Sequence, residues 1–363
     1  MKTLVMKFGG TSVGSAAAVR QVVSIVQAAR PAWSRIAVVV SAMSGVTDAL
    51  LDGAHAAAHG DEARPAQTAA DVRAKHVEVL GEVAAPSLAV ELQAGISASI
   101  AEFLALCHAV RILGEASPRA LDAIASLGER MSAPIVVAGL QQAGIAATVV
   151  DATRVVVTDA VYQSASPNLE ATRARVDSTV RPLLDKGLVP VITGFVGATA
   201  GGVVTTLGRG GSDFSAAIIG VTLMADEVWI WTDVDGVMTA DPRVTPDART
   251  LPELTFREIS ELAFYGAKVL HPKTIRPIVE RGLALWVRNT FNPSQAGTRV
   301  VPDGDGAQGA VKAVTAFKGQ CIITLEGRGM IGIPGIAART FAAVARTGTS
   351  VSMISQASSE QSI

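Results

Sequence analysis

The sequence predicts an α/β protein: a mostly parallel central sheet wrapped by helices, with a smaller α+β module at its carboxyl end. Three observations carry this. The 363 residues are 49% hydrophobic, 17% charged and only 4% aromatic, so Ala, Val, Ile and Leu fill the interior. That profile fits a sheet buried on both faces. Short β-branched runs alternate with longer segments of helical period. Glycine turns followed by a helix start also occur twice after extended segments, at Gly9–Gly14 and at Leu207–Asp213. The length suits roughly two domains.

Leu4, Val5, Met6 and Phe8 form the first strand, which breaks at Gly9-Gly10-Thr11-Ser12-Val13-Gly14. Val19, Val22, Val23 and Val26 then recur at helical spacing. A strand, glycine loop and helix leave backbone N–H groups where a phosphate can sit. The spacing is neither that of a P-loop, since the lysine precedes the glycines, nor G-x-G-x-x-G. Lys7 lies inside the strand, and lysine is rarely buried unpaired. It either points to water from the strand end or holds a fixed positive charge on transferring phosphate oxygens.

Ile36–Val40 is a second strand, ending at Ser41-Ala42-Met43-Ser44-Gly45-Val46-Thr47-Asp48. Ligands of open α/β sheets bind beyond the carboxyl ends of strands, so Ser41 and Thr47 are placed to meet a small polar substrate. Capping of the next helix explains either residue equally well. Asp48 to about Leu113 is Ala-rich and helical, with breaks expected at Pro65 and Pro86, and reads as an insertion of two or three helices forming a lid or interface. The spacing of His55, His59, His76 and His108 does not converge on a metal site. Pro118 opens a further helix carrying Glu129, which suits a substrate ammonium or is a solvated helix carboxylate.

Ala147–Val150 is a strand, Val155–Thr158 is extended, Leu169–Leu184 is helical and Val189–Thr193 is a strand leading to Gly194-Phe195-Val196-Gly197. Gly201-Gly202 marks a hairpin turn into Val203–Leu207. The chain then enters Leu207-Gly208-Arg209-Gly210-Gly211-Ser212-Asp213, where three glycines remove the Cβ atoms that keep a ligand from the main chain. Ser212 and Asp213 are expected to cap the helix that follows. Its free N–H groups and positive dipole end suit an anion, and Arg209 adds a planar fork for a carboxylate or phosphate. The plain alternative is a glycine-rich turn with a capped helix.

Glu227–Trp231 is a buried strand running into the acidic turn Thr232–Arg243, a second ligand lip; the spacing and missing closing Glu exclude an EF-hand. Thr232 and Asp233 are placed to meet a nucleotide and Arg243 its phosphates. Lys268, after Gly266 at another helix start, is a second phosphate lysine or an exposed helix lysine. Leu285–Val287 closes the sheet. Residues 301–310 are a linker rich in Pro, Asp and Gly. Beyond it come a strand (Cys321–Leu325), a helix (Ile336–Ala345) and a strand (Val351–Ile354), half of a small α+β module. Nothing left in the chain covers its apolar side, so the chain reads as a piece of a longer protein whose exposed edges favour self-association.

The formal net charge of −1 favours neither a nucleic-acid surface nor a polybasic membrane anchor. Cys107 and Cys321 are expected to be buried free thiols. The start lacks the apolar core of a signal peptide, and no uninterrupted apolar run reaches membrane-spanning length. A soluble cytoplasmic protein is expected.

Together, Lys7–Gly14, Ser41–Asp48, Leu207–Asp213, Trp231–Arg243 and Phe264–Pro272 resemble the aspartate kinases of the amino-acid kinase family, in the right order over residues 1 to about 295. The segment Ile322–Ile363 looks like the first part of that family's regulatory ACT domains, and its ending is most similar to the aspartate kinases fused to homoserine dehydrogenase. The resemblance implies a three-layer amino-acid-kinase-like sandwich over residues 1–300 and an incomplete ACT-like module over 311–363. It implies a reaction, ATP plus L-aspartate giving 4-phospho-L-aspartate and ADP, with ATP and Mg²⁺ as cofactors; the sequence itself shows no protein ligand to the metal. It implies Lys7, Gly9 and Gly10 on the transferred phosphoryl group, and Ser41, Thr47, Glu129, Arg209 and Ser212 on aspartate, with Glu129 on its ammonium and Arg209 on its α-carboxylate. Asp213 organises the centre, Lys268 stabilises the phosphates, and Thr232, Asp233 and Arg243 belong to the ATP lip. An end-product amino acid, threonine or lysine, would bind a complete ACT module, and a homo-oligomer is expected. The chain departs from the family at Met238, where many relatives have a tyrosine near the adenine, and at Leu127. Two alternatives are a sibling kinase for glutamate, acetylglutamate or a nucleotide, and a non-catalytic or truncated amino-acid sensor. The Ser41–Thr47 segment and the ACT-like tail argue against the first; the presence of Lys7 and Asp213 argues against a non-catalytic sensor and leaves a truncated, inactive piece open.

Overall fold

The computed structural model describes every residue except 266–269, 271, 303–310, 317–318, 328–329, 331, 357–361 and 363, and the side chains of Pro272 and Lys273. The chain begins with β1 (Thr3–Phe8), α1 (Ala16–Ala29) and β2 (Arg35–Val40), followed by the helices α2 (Val46–Ala58), α3 (Ala63–Val83), α4 (Pro86–Leu113) and α5 (Pro118–Gln142). It continues through β3 (Ala147–Val150), β4 (Val157–Thr158), α6 (Leu169–Thr179), α7 (Arg181–Asp185), β5 (Val189–Thr193), β6 (Val196–Thr199), β7 (Val204–Thr206) and α8 (Gly211–Leu223). The rest is β8 (Glu227–Thr232), β9 (Glu253–Thr255), α9 (Phe256–Phe264), α10 (Pro272–Arg281), β10 (Ala284–Asn289), β11 (Thr298–Val301) and α11 (Ile336–Ala345).

The main sheet has eight strands in the order β3-β5-β2-β1-β8-β10-β11-β9. Every pairing is parallel except β10 with β11. The period of two sorts its side chains. Val5, Val39, Ile192, Val228 and Ile230 meet one core, which includes Ile218 and Ile219 of α8. Leu4, Met6, Phe8, Val38 and Val191 meet the other, with Val22 and Val26 of α1 and Val136 of α5. This is the expected three-layer sandwich, and each such side chain, fully buried, contributes about 1.5–3 kcal/mol. A third core joins α2, α3, α4 and α5 through Leu50, Leu80, Phe103 and Leu127. A second sheet, β4-β6-β7, stands apart from the first.

All four tryptophans gather by the central strands. Trp33 stacks edge-on against Trp229 at 5.9 Å and Trp229 against Trp231 at 6.1 Å. The Arg288 guanidinium lies 4.5 Å from the Trp229 ring, 5.2 Å from Trp231 and 5.6 Å from Trp286.

Several expectations change. The insertion is three helices packed into a core. Pro65 does not break α3 but lies in its first turn, where a missing N–H costs nothing, and Pro86 opens α4. The helical stretch 169–184 is two helices, divided at Val180 ahead of Pro182. Of 155–158, only Val157–Thr158 pairs as a strand. Two helices, α4 and α5, are long and apolar enough to cross a membrane by length and composition. The apolar stretch of α5 is 83% buried in the protein, as a core helix is, and α4 packs Ile100, Phe103 and Cys107 into the helical core.

The chain divides into two compact units, Met1–Ala316 and Phe317–Ile363. Residues 311–316 go with the first: Lys312 pairs with Glu258 at 2.7 Å and the Val314 N–H donates to Thr239 O. In the second unit the expected helix forms as α11, but among the described residues Cys321–Leu325 and Val351–Ile354 pair with no strand; an isolated bridge joins Glu326 to Ser362. Cys321 is exposed, not buried, whereas Cys107 is buried as expected.

Candidate active site

The loops leaving β1, β2 and β5 meet at the carboxyl edge of the sheet. The Ser41 N–H donates to Phe8 O and the Ser44 N–H to Gly10 O, so the first two loops are stitched together. A Cβ on Gly10 would lie 2.9 Å from Ala42 O, and one on Gly194 2.8 Å from Val40 O, so only glycine permits these approaches. Gly9 stands by the ammonium of Lys7, 3.5 Å from where its Cβ would be, and its N–H donates to Trp231 O across to β8.

Lys7 shares the Val5 side of β1 and so faces α8. It is 8% exposed, and its Nζ lies 2.6 Å from Asp213 Oδ1. This pairing answers the question of a buried lysine. The expected cap is corrected: the N-cap of α8 is Gly210 in the left-handed region (φ 70°), with no side-chain cap. Gly211, Ser212 and Asp213 form the first turn, so Asp213 is free to face Lys7 while the first-turn N–H groups stay open. Arg209 is exposed between Gly208 and Gly210, both with positive φ.

From the other side, α5 presents Glu129. This carboxylate is 3% exposed, so the solvated reading is overturned. Oε1 accepts the Ala42 N–H at 3.1 Å, and Oε2 is buried with no partner. Burial pushes its pKa up to about 8, against the pull of the Ala42 bond. Gly128 admits the contact: a Cβ there would lie 2.6 Å from Ala42 Cβ. Gly128→Ala should therefore destabilise the fold by about 1–3 kcal/mol, as overpacking does; a urea midpoint equal to wild type would show that the helix and loop part freely. Ser132 Oγ donates to Ser41 O at 2.7 Å, tying the same turn of α5 to the β2 loop.

A cavity of about 550 Å³ brings together Lys7, Gly10, Ser41, Thr47, Glu129, Arg209, Ser212 and Asp213. Asp122, Gln163 and Phe195 line it too, and sequence reasoning did not find them. Thr232, Asp233 and Arg243 do not line it. Thr232 ends β8 beside the β1 loop and donates from Oγ1 to Asp233 at 3.2 Å, while Arg243 is bound through two nitrogens by Asp241. Lys268 lies outside the described residues. Ser12 and Thr290 share a buried 2.7 Å hydrogen bond that fastens the β1 loop to the end of β10.

The chain as a whole has known relatives. A sequence profile for the amino acid kinase family matches residues 2–289. The chain belongs to the amino acid kinase family. A profile for the ACT domain matches residues 323–363. The chain is similar to the bifunctional aspartokinase/homoserine dehydrogenase 1, chloroplastic, of Arabidopsis thaliana, at 35% identity over 365 residues, covering 99% of this chain and 40% of that protein. Similarity to the aspartokinase of Chlamydia muridarum is 33% over 325 residues, covering 89% of this chain and 69% of that one. The crystal structure of E. coli aspartokinase III with lysine and aspartate (T-state) matches at TM-score 0.84 and 29% identity, covering 100% of this chain and 78% of that chain. The same enzyme with aspartate and ADP (R-state) matches at 0.81 and 29%, covering 99% and 78%. The family and the fold expected from the sequence are thus both met, and this amino acid kinase chain spans 40% of the Arabidopsis protein's length.

Proposed function

We propose that this chain carries aspartate kinase activity: ATP and L-aspartate give 4-phospho-L-aspartate and ADP, the entry step to the aspartate-derived amino acids lysine, threonine and methionine. The observation that carries the reading is one cavity with an orphan buried carboxylate oxygen on Glu129, the fork of Arg209 and the Lys7–Asp213 pair. An acidic amino acid needs a partner for its ammonium, another for its α-carboxylate and a cation where its side chain meets phosphate.

The attacking group is a carboxylate already ionised at neutral pH, so no base is required. A carboxylate oxygen forms a bond to the γ-phosphorus as the bond from phosphorus to the bridging oxygen of ADP breaks, and no proton moves. The difficulty is bringing an anion to a polyanion, which demands positioning and positive charge. Lys7 holds its ammonium beside the transferred group, with the N–H groups of Gly10 and the first turn of α8 around it; Gly9, its own N–H bound to Trp231 O, keeps that face of the loop open. Asp213 fixes Lys7. Ser41, Thr47 and Ser212 hydrogen-bond aspartate. Thr232, Asp233, Arg243 and Lys268 form the nucleotide side. Mg²⁺ belongs with the triphosphate oxygens, whose charge it offsets; among the described residues no three His, Cys, Asp or Glu side chains group to hold it.

Residues 1–300, with 311–316 packed onto them, are read as the catalytic domain, 301–310 as the linker and 317–363 as part of an ACT module responding to threonine or lysine in a homo-oligomer, in the cytoplasm. The ACT-domain match and the lysine in the E. coli T-state structure support that regulation. Trapping the acyl phosphate with hydroxylamine across aspartate, glutamate and acetylglutamate, with coupled ADP release read for UMP, tests the reading. Aspartyl hydroxamate formed with aspartate alone is the expected result; turnover of another acceptor instead overturns it. Arg209→Lys should raise KM for aspartate by about tenfold or more, because the two-point grip is lost, and an unchanged KM would remove Arg209 from the carboxylate.

A further inference from the structure

Asp122 takes no part in the chemistry above, yet its carboxylate is 1% exposed at the wall of the same cavity and fully occupied. Oδ1 accepts from Thr206 Oγ1 at 2.7 Å and Gln163 N at 3.1 Å. Oδ2 accepts from Thr206 N at 2.9 Å and Gln163 N at 3.0 Å. Each donor matters to the site. Thr206 ends β7, three positions before Arg209. Gln163 sits at φ 64°, a left-handed conformation that a side chain disfavours and that persists only where its surroundings hold it. Asp122 precedes Glu129 by seven positions on α5, two turns, so both carboxylates share one helix face. One is spent on backbone and hydroxyl donors; the other keeps an open oxygen.

We infer that Asp122 is a positioning residue that sets the span between Glu129 on α5 and Arg209 on the glycine cradle, and thereby selects the length of acidic amino acid the cavity accepts. This rests on the reading of Glu129 and Arg209 as the two ends of the amino-acid site. Arg209 stands on a turn with left-handed glycines on both sides, which has little stiffness of its own. Its register comes from the segment entering the turn, and that segment is pinned to α5 through Asp122. The Leu207 N–H to Phe195 O bond ties it to the sheet side instead. A fork that must meet two oxygens loses its grip on an ångström of drift. A span held rigid also rejects the longer homologue, where one methylene gives about 10–200-fold discrimination.

The test is steady-state kinetics on the full chain, with aspartate and ATP varied separately and glutamate as the competing acid. Asp122→Asn should raise KM for aspartate by about tenfold, leave KM for ATP within about twofold, and narrow the preference for aspartate over glutamate in kcat/KM. Thr206→Val, which removes one hydroxyl, should move the same quantities less. Gln163→Gly in the Asp122→Asn background should recover part of the loss, because glycine holds the left-handed turn without an anchor. A fall in kcat with KM for aspartate unchanged, or a raised KM with the acid preference intact and no recovery, would overturn the inference. If Asp122→Asn does not fold, by its circular-dichroism melt, Thr206→Val decides by the same criteria. The wild type on its own reports on the kinase reading: turnover of a different acid sinks that reading, while the same variants still measure the span on that acid. If the chain turns nothing over, the variants are compared by calorimetric titration with aspartate and glutamate.

Discussion

Lys7→Ala is expected to lower kcat by about 10²–10³-fold while KM for aspartate stays near wild type, by analogy with removing one preorganised transition-state donor. The structure sharpens this expectation. Lys7 is 8% exposed, so its charge acts with little solvent screening, and Asp213 holds the ammonium at 2.6 Å. Truncating Lys7 also leaves Asp213 facing the phosphates unneutralised. Lys7→Ala combined with Asp213→Asn should therefore cost less than the sum of the single changes, as coupled neighbours do. Initial-rate measurements on the three variants are sufficient. Near-normal turnover in Lys7→Ala would remove Lys7 from the mechanism, and strict additivity would separate it from Asp213.

Glu129→Gln is expected to raise KM for aspartate by about 10²-fold, the scale of losing one member of a buried, hydrogen-bonded charge pair. The pH dependence is the sharper prediction. Burial raises the pKa of Glu129 from the usual carboxylate range to about 8, so in the empty site it is protonated at neutral pH. Aspartate, bringing an ammonium, draws that proton off. Affinity for aspartate should rise with pH up to about 8, and binding at pH 7 should release close to one proton, read by calorimetry in buffers of different ionisation enthalpy. Stability runs the other way. A carboxyl whose folded pKa lies above its unfolded value binds more protons in the native state between the two, so stability falls as pH rises from about 4.5 to 8. Glu129→Gln should flatten that slope. A wild-type slope in the variant, or no proton release, would mean that Glu129 is already ionised in the empty site.

Much of this site was legible because its chemistry sits where strands end. Lys7, Ser41, Arg209 and Asp213 each lie on a strand end or a glycine turn, and the parallel pattern carries them to one edge. Asp122 was not legible. A single aspartate in an Ala-rich helix gives no local sign of its partners, Gln163 and Thr206, which come from distant parts of the chain. The one available signal was its seven-residue spacing from Glu129. The left-handed backbone of Gln163 and Phe195 is likewise set by tertiary contacts, not by residue type. Strands β9 and β11 escaped because they are three and four residues long and exist only by pairing. Helix α9 could have been found: Thr255 and Glu258 form a capping box, a spacing readable in sequence. The second unit differs for a simple reason: an apolar run becomes a strand only when another strand lies beside it.

The tryptophan cluster makes the protein a selective optical reporter. Every indole lies in one neighbourhood, Arg288 stacks against three of them, and Trp231 immediately precedes Thr232. Residues 317–363 contain neither tryptophan nor tyrosine. Ultraviolet emission therefore tracks the sheet of the first unit and is blind to residues 317–363. A fluorescence melt compared with a far-ultraviolet dichroism melt would separate the loss of the two units without any label.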